Sequence, residues 1–156
     1  KTFQEELAFR ATKTKYVCSD GTVVGSHQGA HYFTKGQRKG LGVGGTSEPL
    51  FVIDTDVVDN IIYTGQGKNH PGLYRSVLLI QSSEVHWVRP DLKIDLGESL
   101  KVMARIRYRQ KLEAASLYSN SDGIYVVFDS PQSAITEGQF VAWYLEDELV
   151  GSGVIS

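Results

Sequence analysis

Residues 113–129 read Glu-Ala-Ala-Ser-Leu-Tyr-Ser-Asn-Ser-Asp-Gly-Ile-Tyr-Val-Val-Phe-Asp. Two short apolar runs, 113–118 and 124–129, flank the polar segment Asn-Ser-Asp-Gly at 120–123. Such runs predict two antiparallel strands, because Asp and Gly tolerate the backbone angles that a tight turn requires. This stretch therefore indicates a β-hairpin within an antiparallel fold.

The same pattern continues on both sides of this hairpin. Further strands are predicted at 73–88, 99–110, 139–144 and 148–155, with turn signals between them at 89–91, 130–132 and 137–138. No long helical pattern intervenes. Six strands of this kind favour a small closed β-barrel over an open sheet, because closure removes exposed strand edges.

A smaller β module is predicted upstream. One hairpin joins runs 16–18 and 22–25 through Asp20-Gly21, and a second joins 51–55 and 61–64. The sequence His70-Pro71-Gly72 marks a break before the barrel, and residues 3–11 carry a weak helical pattern. The predicted fold is all-β, with a lead-in or linker at 1–14, a central β module at 15–72 and a C-terminal barrel at 73–156.

Composition limits the class of protein. The chain has 156 residues and a net charge of -2, and its single cysteine excludes an internal disulfide, a thiolate zinc cage and a Cys-x-x-Cys redox pair. No apolar run reaches the roughly 18 residues that a membrane-spanning helix needs, and residues 1–6 lack a signal-peptide core. We therefore predict a cytoplasmic protein without a membrane partner. The first residue is lysine, so we expect a piece of a longer protein.

The basic residues are unevenly distributed. Residues 101–111 contain five Lys or Arg and residues 31–47 contain Lys35, Arg38 and Lys39, and neither stretch contains an acid. Polyanions bind to local surfaces of this kind even on an acidic protein, so the two stretches predict a phosphate-binding face.

Strand periodicity refines this prediction for residues 101–111. Side chains alternate along a strand, which would place Arg105, Arg107 and Arg109 in one row, about 6.6 Å apart, and Tyr108 on the opposite, packed face. The spacing resembles that of successive phosphates. The alternative is a solvated outer face whose arginines pair with neighbouring carboxylates.

The other motifs predict no active site within this chain. Gly40, Gly42 and Gly45 match a dinucleotide fingerprint formally, but no βαβ unit and no suitably placed acid accompany them. His27 and His31 have the spacing of a zinc pair without further ligands, which favours hydrogen-bonded or surface histidines. Cys18 has no histidine neighbour and is interpreted as a thiol beside a turn.

Six motifs occur in order along residues 15–155, and together they resemble the central and C-terminal domains of the bacterial tRNA-specific 2-thiouridylases. They are Gly-Ser-His-Gln-Gly (25–29), Thr-Lys-Gly-Gln-Arg-Lys-Gly-Leu-Gly-Val-Gly-Gly (34–45), Gly-Lys-Asn-His-Pro (67–71), Arg-Ile-Arg-Tyr-Arg-Gln (105–110), Phe-Asp-Ser-Pro-Gln-Ser-Ala-Ile-Thr-Glu-Gly-Gln (128–139) and Gly-Ser-Gly-Val-Ile (151–155).

The resemblance implies both a fold and a chemistry. The C-terminal part would be a six-stranded barrel like the second domain of elongation factor Tu. The full-length enzyme would adenylate the 2-oxygen of the wobble uridine with ATP and Mg²⁺ and then replace it with persulfide sulfur. The phosphate loop and both catalytic cysteines belong to an N-terminal domain of that family, so no catalytic role passes to Cys18.

By the same resemblance, Arg107 and Tyr108 match a tRNA-contacting Arg-Tyr pair, and Gln139 or Phe140 lies at or beside another contact. We therefore predict that this chain is the tRNA-binding portion of a 2-thiouridylase and contains no catalytic, cofactor or metal residues of its own. The alternative is a β module that receives an acidic sulfur-carrier protein.

Overall fold

The computed structural model describes residues 2–156, which form two compact units. The barrel unit comprises residues 2–13 together with 75–156, and the central unit comprises residues 14–74. This division differs from the predicted one at two points. The border lies after Tyr74 rather than after residue 72, and the helix within the predicted lead-in belongs to the barrel unit.

The regular elements are one helix and nine strands among the described residues. In chain order they are α1 (Phe3–Ala11), β1 (Leu50–Asp56), β2 (Ile61–Gln66), β3 (Tyr74–Gln81), β4 (Val85–Trp87), β5 (Ser99–Arg105), β6 (Glu113–Asn120), β7 (Gly123–Ser133), β8 (Phe140–Leu145) and β9 (Glu148–Val154). The predicted all-β class is confirmed. None of the helices within residues 2–156 has the length and apolar character needed to cross a membrane.

The barrel unit is a curled antiparallel sheet with the strand order β3-β7-β6-β5-β8-β9-β4. It has seven strands rather than six, because the run predicted as one strand at 73–88 is interrupted by a short turn at Ser82–Glu84. That turn joins the two strands at the ends of the order. The backbone N–H of Ser156 also donates to the carbonyl of Leu79 over 2.9 Å, which ties the chain end to β3.

The core of the barrel unit contains the inward-facing residues of these strands, as period-two alternation requires. Trp143 is fully buried and packs edge-to-face on Trp87, with ring centroids 5.4 Å apart. Gly151 lies opposite Trp143 on β9, and a Cβ atom there would come within 2.5 Å of the indole ring. The large indole therefore occupies space that glycine leaves empty.

Helix α1 packs on the barrel unit through Leu7, which is buried against Val77 and Tyr125. Its N-terminus is capped by Thr2 and Glu5, and its C-terminal carbonyl at Ala11 accepts a 2.6 Å hydrogen bond from Arg75. Apolar burial and satisfied helix ends together explain why this nine-residue segment is helical.

The central unit contains one two-stranded sheet, β1-β2, which confirms the hairpin predicted at 51–55 and 61–64. The hairpin predicted around Asp20-Gly21 is wrong. There, Cys18–Asp20 forms a 3₁₀ turn, and the carboxylate of Asp20 accepts a 2.9 Å hydrogen bond from the Val17 N–H. A side chain thus takes a backbone donor that a strand ladder would have used.

Tyr125 allows a pH test of the barrel unit. Burial and the neighbouring Asp122 carboxylate raise the pKa of its phenol from 10.0 to about 12, and its hydroxyl donates to that carboxylate over 3.0 Å. Because the folded state holds this proton more tightly, the stabilisation is intact below pH 10 and is lost as the pH rises towards 12. We expect urea midpoints to fall more steeply across this window in the wild type than in Tyr125→Phe. Identical pH profiles would contradict the coupling.

Candidate nucleic-acid interface

Strand β5 is shorter than the sequence predicts. It ends at Arg105, and residues 106–111 form a turn-containing loop, so the proposed row of Arg105, Arg107 and Arg109 along one strand is wrong. The reason is local. The side-chain oxygen of Gln110 accepts hydrogen bonds from the N–H groups of Ile106 (2.9 Å) and Arg107 (3.3 Å), which a continuing strand would offer to its neighbour.

The three arginines therefore occupy different environments. Arg105 donates to the Tyr144 hydroxyl over 3.0 Å, and its guanidinium carbon lies 5.1 Å from the centre of that ring. Arg107 donates through one nitrogen, Nη2, to the carbonyl oxygens of Ser133 and Ala134, both at 2.8 Å. Of the three, Arg109 is the exposed one, whereas Arg105 and Arg107 are half-buried.

Tyr108 does not pack in the core, contrary to the periodicity argument. Its side chain is 88% exposed, and the guanidinium of Arg105 lies 5.4 Å from its ring centre. Because β5 has already ended, the alternation that would have turned this residue inward no longer applies. The result is an exposed aromatic ring beside a cation.

Strand β8 contributes a second set of aromatic residues. Phe140 and Tyr144 lie on the outer face of this strand, on either side of Ala142, which pairs with Arg105 across the β5-β8 ladder. Phe140 is 63% exposed. We call the set Arg105, Tyr108, Phe140 and Tyr144 the aromatic–arginine face. The sequence places Tyr144 only at the end of a predicted strand, because Arg105, which donates a hydrogen bond to its hydroxyl, lies 39 residues away.

Gln139 is half-buried, and two hydrogen bonds fix it within the fold. Its side-chain oxygen accepts a hydrogen bond from the Thr136 N–H over 2.9 Å, and its carbonyl accepts one from the Ile155 N–H over 2.8 Å. Of the two positions predicted at or beside a contact, Phe140 is therefore the more exposed.

The second basic stretch forms a loop of the central unit at 34–45. The loop begins beside β1, where the Gly36 N–H donates to the Val52 carbonyl (2.7 Å) and the Val52 N–H donates to the Gln37 carbonyl (2.9 Å). Gly36, Gly40, Gly42 and Gly45 have positive φ angles of 89°, 84°, 67° and 80°. Only glycine adopts such a series without strain, so the motif is explained by backbone shape.

Cations lie at the tip of this glycine loop. Arg38 and Lys39 are exposed, whereas Lys35 is half-buried. An open cavity of about 380 Å³ adjoins Arg38 and is lined mainly by residues 40–44. The chain continues from this loop into β1 rather than into a helix, so the loop does not have the geometry of a dinucleotide fingerprint.

The histidines of the central unit make separate contacts. In His27, Nδ1 accepts from the Gly29 N–H and Nε2 lies 3.1 Å from the Asn60 carbonyl, so both ring nitrogens are engaged. His31 instead packs its ring against Tyr32. Within residues 2–156, no three His, Cys, Asp or Glu side chains converge as a metal site would require.

Comparison with known proteins assigns the family. Residues 3–66 match the tRNA methyl transferase PRC-barrel domain, and residues 78–155 match the aminomethyltransferase β-barrel domain. The tRNA-specific 2-thiouridylase MnmA of Christiangramia forsetii is 65% identical over 152 residues, which cover 97% of this chain and 38% of the relative.

Two further relatives carry the same name. The protein of Flavobacterium johnsoniae is 64% identical over 99% of this chain and 39% of its own length, and that of Stutzerimonas stutzeri is 44% identical over 87% and 36%. The chain spans about two fifths of these curated relatives, in their C-terminal portion. On these matches to both of its units, the chain belongs to the tRNA-specific 2-thiouridylase family.

Proposed function

We propose that this chain holds tRNA for a 2-thiouridylase that modifies the wobble uridine. The observation that carries the proposal is that exposed cations lie on two loops, one of which also exposes an aromatic ring. Arg109 and Tyr108 protrude from one loop of the barrel unit, and Arg38 and Lys39 protrude from the glycine loop of the central unit. Cations contact phosphates, and aromatic rings stack on unpaired bases.

In our proposal, three of the other predicted residues hold the tRNA-binding loops in place and do not contact the tRNA themselves. Arg105 and Arg107 are bound to neighbouring groups of the barrel unit, and Gln139 is bound within the turn before β8. Phe140 extends the aromatic–arginine face. Binding through phosphates and shape gives affinity without reading the base sequence.

ATP, Mg²⁺ and the sulfur chemistry are proposed to act in another part of the full-length protein. What supports this proposal is the glycine loop, which leads into a strand and so offers no helix N-terminus to the phosphates. We expect the isolated chain to show no ATP turnover in a phosphate-release assay. ATP turnover that co-purifies with the chain and is lost when the chain is denatured would contradict this assignment.

Titration of the isolated chain tests the proposed function. An unmodified tRNA transcript with a wobble uridine is added at several salt concentrations, with an acidic sulfur-carrier protein in a parallel titration. We expect tRNA binding whose logarithmic affinity falls linearly with the logarithm of salt concentration. Binding of the carrier without binding of tRNA would instead support the protein-docking alternative.

Tyr108→Ala separates binding from stability. Because the ring is 88% exposed, the free energy of unfolding should change by no more than about 0.5 kcal/mol. Loss of one stacking partner should weaken tRNA binding by about 1–3 kcal/mol, and Tyr108→Phe should retain most of the affinity. Urea unfolding and tRNA titration measure the two effects. Unchanged affinity in the alanine variant would remove Tyr108 from the interface.

A further inference from the structure

A chain of side-chain amides fixes the loop at 106–111. Gln110 accepts from the N–H groups of Ile106 and Arg107, and its own Nε2 donates to Oε1 of Gln132 over 2.5 Å. Gln132 in turn donates to the Ser130 carbonyl over 3.0 Å. Backbone groups terminate the network at both ends, so the orientation of each amide is determined.

Gln132 is unusual for a glutamine because it is only 6% exposed, and among the polar and charged residues of 2–156 it is the one that is buried. Burying an amide is unfavourable unless its hydrogen bonds are satisfied. The bonds that satisfy Gln132 lie on either side of it, at Gln110 and Ser130. Its burial therefore depends on the folded shape of the 106–111 loop.

Arg107 joins this loop to the segment after β7. Both of its 2.8 Å bonds use the two hydrogens of Nη2, and one of the acceptors is the carbonyl of Ala134, a residue with a φ angle of 51°. This left-handed angle is unfavourable for alanine and needs support from its surroundings. A bidentate contact to phosphate through Nη1 and Nη2 would require Arg107 to give up at least one of these bonds, because it needs a hydrogen of Nη2.

The hydrogen bonds of Arg107, Gln110 and Gln132 hold the inner side of the loop, and we call these three residues the brace. The outer side of the loop faces solvent. Ile106 is buried at its start, whereas Tyr108 and Arg109 are exposed at its tip. A loop that is ordered before binding loses less conformational entropy when RNA binds. The brace can therefore raise affinity without touching the RNA.

We infer that Arg107, Gln110 and Gln132 are positioning residues that order the 106–111 loop and so present Tyr108 and Arg109 to RNA. Arg107 acts through its two carbonyl acceptors rather than as a phosphate ligand. The inference rests on the proposed function, and it assigns a binding role to Gln132, a residue that RNA cannot reach in the folded chain.

Three variants of the chain test this role. Gln132→Met removes the buried amide without changing charge or approximate size, Arg107→Met removes the carbonyl bonds and one charge, and Arg109→Met removes one charge from the same loop. Amide hydrogen exchange of residues 106 and 107 in the RNA-free chain reports loop order. Titration with the unmodified tRNA transcript at several salt concentrations reports affinity and the number of phosphate contacts.

We expect both Gln132→Met and Arg107→Met to speed exchange at these amides by about tenfold or more. Gln132→Met removes the acceptor that holds the Gln110 amide, and Arg107→Met removes the bonds that tie the loop to the carbonyls of Ser133 and Ala134. Both variants should weaken tRNA binding several-fold while leaving the salt slope nearly unchanged. Arg109→Met should leave exchange unchanged and lower the magnitude of the slope by about 1, as the loss of one phosphate contact does.

The opposite pattern would overturn the inference. A slope lowered by about 1 in Arg107→Met, with exchange unchanged, would make Arg107 a phosphate ligand. Unchanged exchange and unchanged tRNA affinity in Gln132→Met would show that the brace does not order the loop. If Gln132→Met does not fold, Gln110→Met tests the same amide chain at a less buried position. Absence of tRNA binding by the unaltered chain would instead contradict the proposed function, and the exchange data would still report whether the brace orders the loop.

Discussion

Gly123→Ala is expected to destabilise the barrel unit by about 3 kcal/mol or more, because two penalties coincide. Gly123 has a φ angle of 144°, which L-amino acids other than glycine rarely adopt. A Cβ atom at this position would overlap the carbonyl oxygen of Ile80 and lie 2.9 Å from the backbone nitrogen of Ser82. Neither group is a flexible side-chain end, so β7 would have to move away from the end of β3.

Urea unfolding followed by tryptophan fluorescence measures this effect. The only two tryptophans of the chain, Trp87 and Trp143, both lie in the barrel unit, so their emission reports that unit. Gly97→Ala is the matched control, since Gly97 has a φ angle of 87° but no atom within 4 Å of the added Cβ. It should cost about 1 kcal/mol from backbone strain alone. Equal effects of the two substitutions would show that the close approach to Ile80 is unimportant.

Removing Arg38, Lys39 and Arg109 together should weaken tRNA binding on the order of 100-fold at about 150 mM salt, if each contacts one phosphate. All three side chains are exposed, and none forms an ion pair within residues 2–156. The magnitude of the salt slope should fall by about 3 in the triple serine variant. Its unfolding curve should match that of the wild type.

A control with the same net charge distinguishes local contacts from long-range attraction. Lys15, Lys68 and Lys93 are also exposed but lie outside the two acid-free stretches. Their triple serine variant should lose much less affinity and keep most of the salt slope. If both triple variants weaken binding equally, the attraction reflects net charge and the assigned interface is wrong.

Local sequence signals predicted the β6-β7 and β1-β2 hairpins correctly, although they failed at Asp20-Gly21, where a 3₁₀ turn forms instead. The turn at 120–123 joins β6 to β7, as its Asp-Gly pair indicates, and the β1-β2 hairpin lies where its two apolar runs place it. The acidic hairpin between β8 and β9 is likewise local, since Glu146 and Asp147 adopt the positive φ angles of a two-residue turn. In these cases the partner strand is the next one in the sequence.

The candidate site shows where such signals fail. Alternation from Lys101 onwards predicts a row of three arginines and a packed Tyr108, but β5 ends at Arg105 because Gln110 takes the next backbone donors. Gln110 is itself oriented by Gln132, which is 22 residues away in sequence. No pattern within residues 101–111 reveals that partner.

The amino-acid sequence alone determined the strand-rich class, the two acid-free basic stretches and the six ordered motifs of the family, because these depend on residue type and local spacing. Tertiary structure alone decided the exposure of Tyr108, the engagement of Arg107 with the carbonyl of Ala134, and the placement of Tyr144 beside Arg105. The physical reason is that a strand ends where its donors find other acceptors. For β5 the acceptor is the nearby side chain of Gln110, but Gln110 is held by Gln132, which only the folded sheet brings within hydrogen-bonding distance.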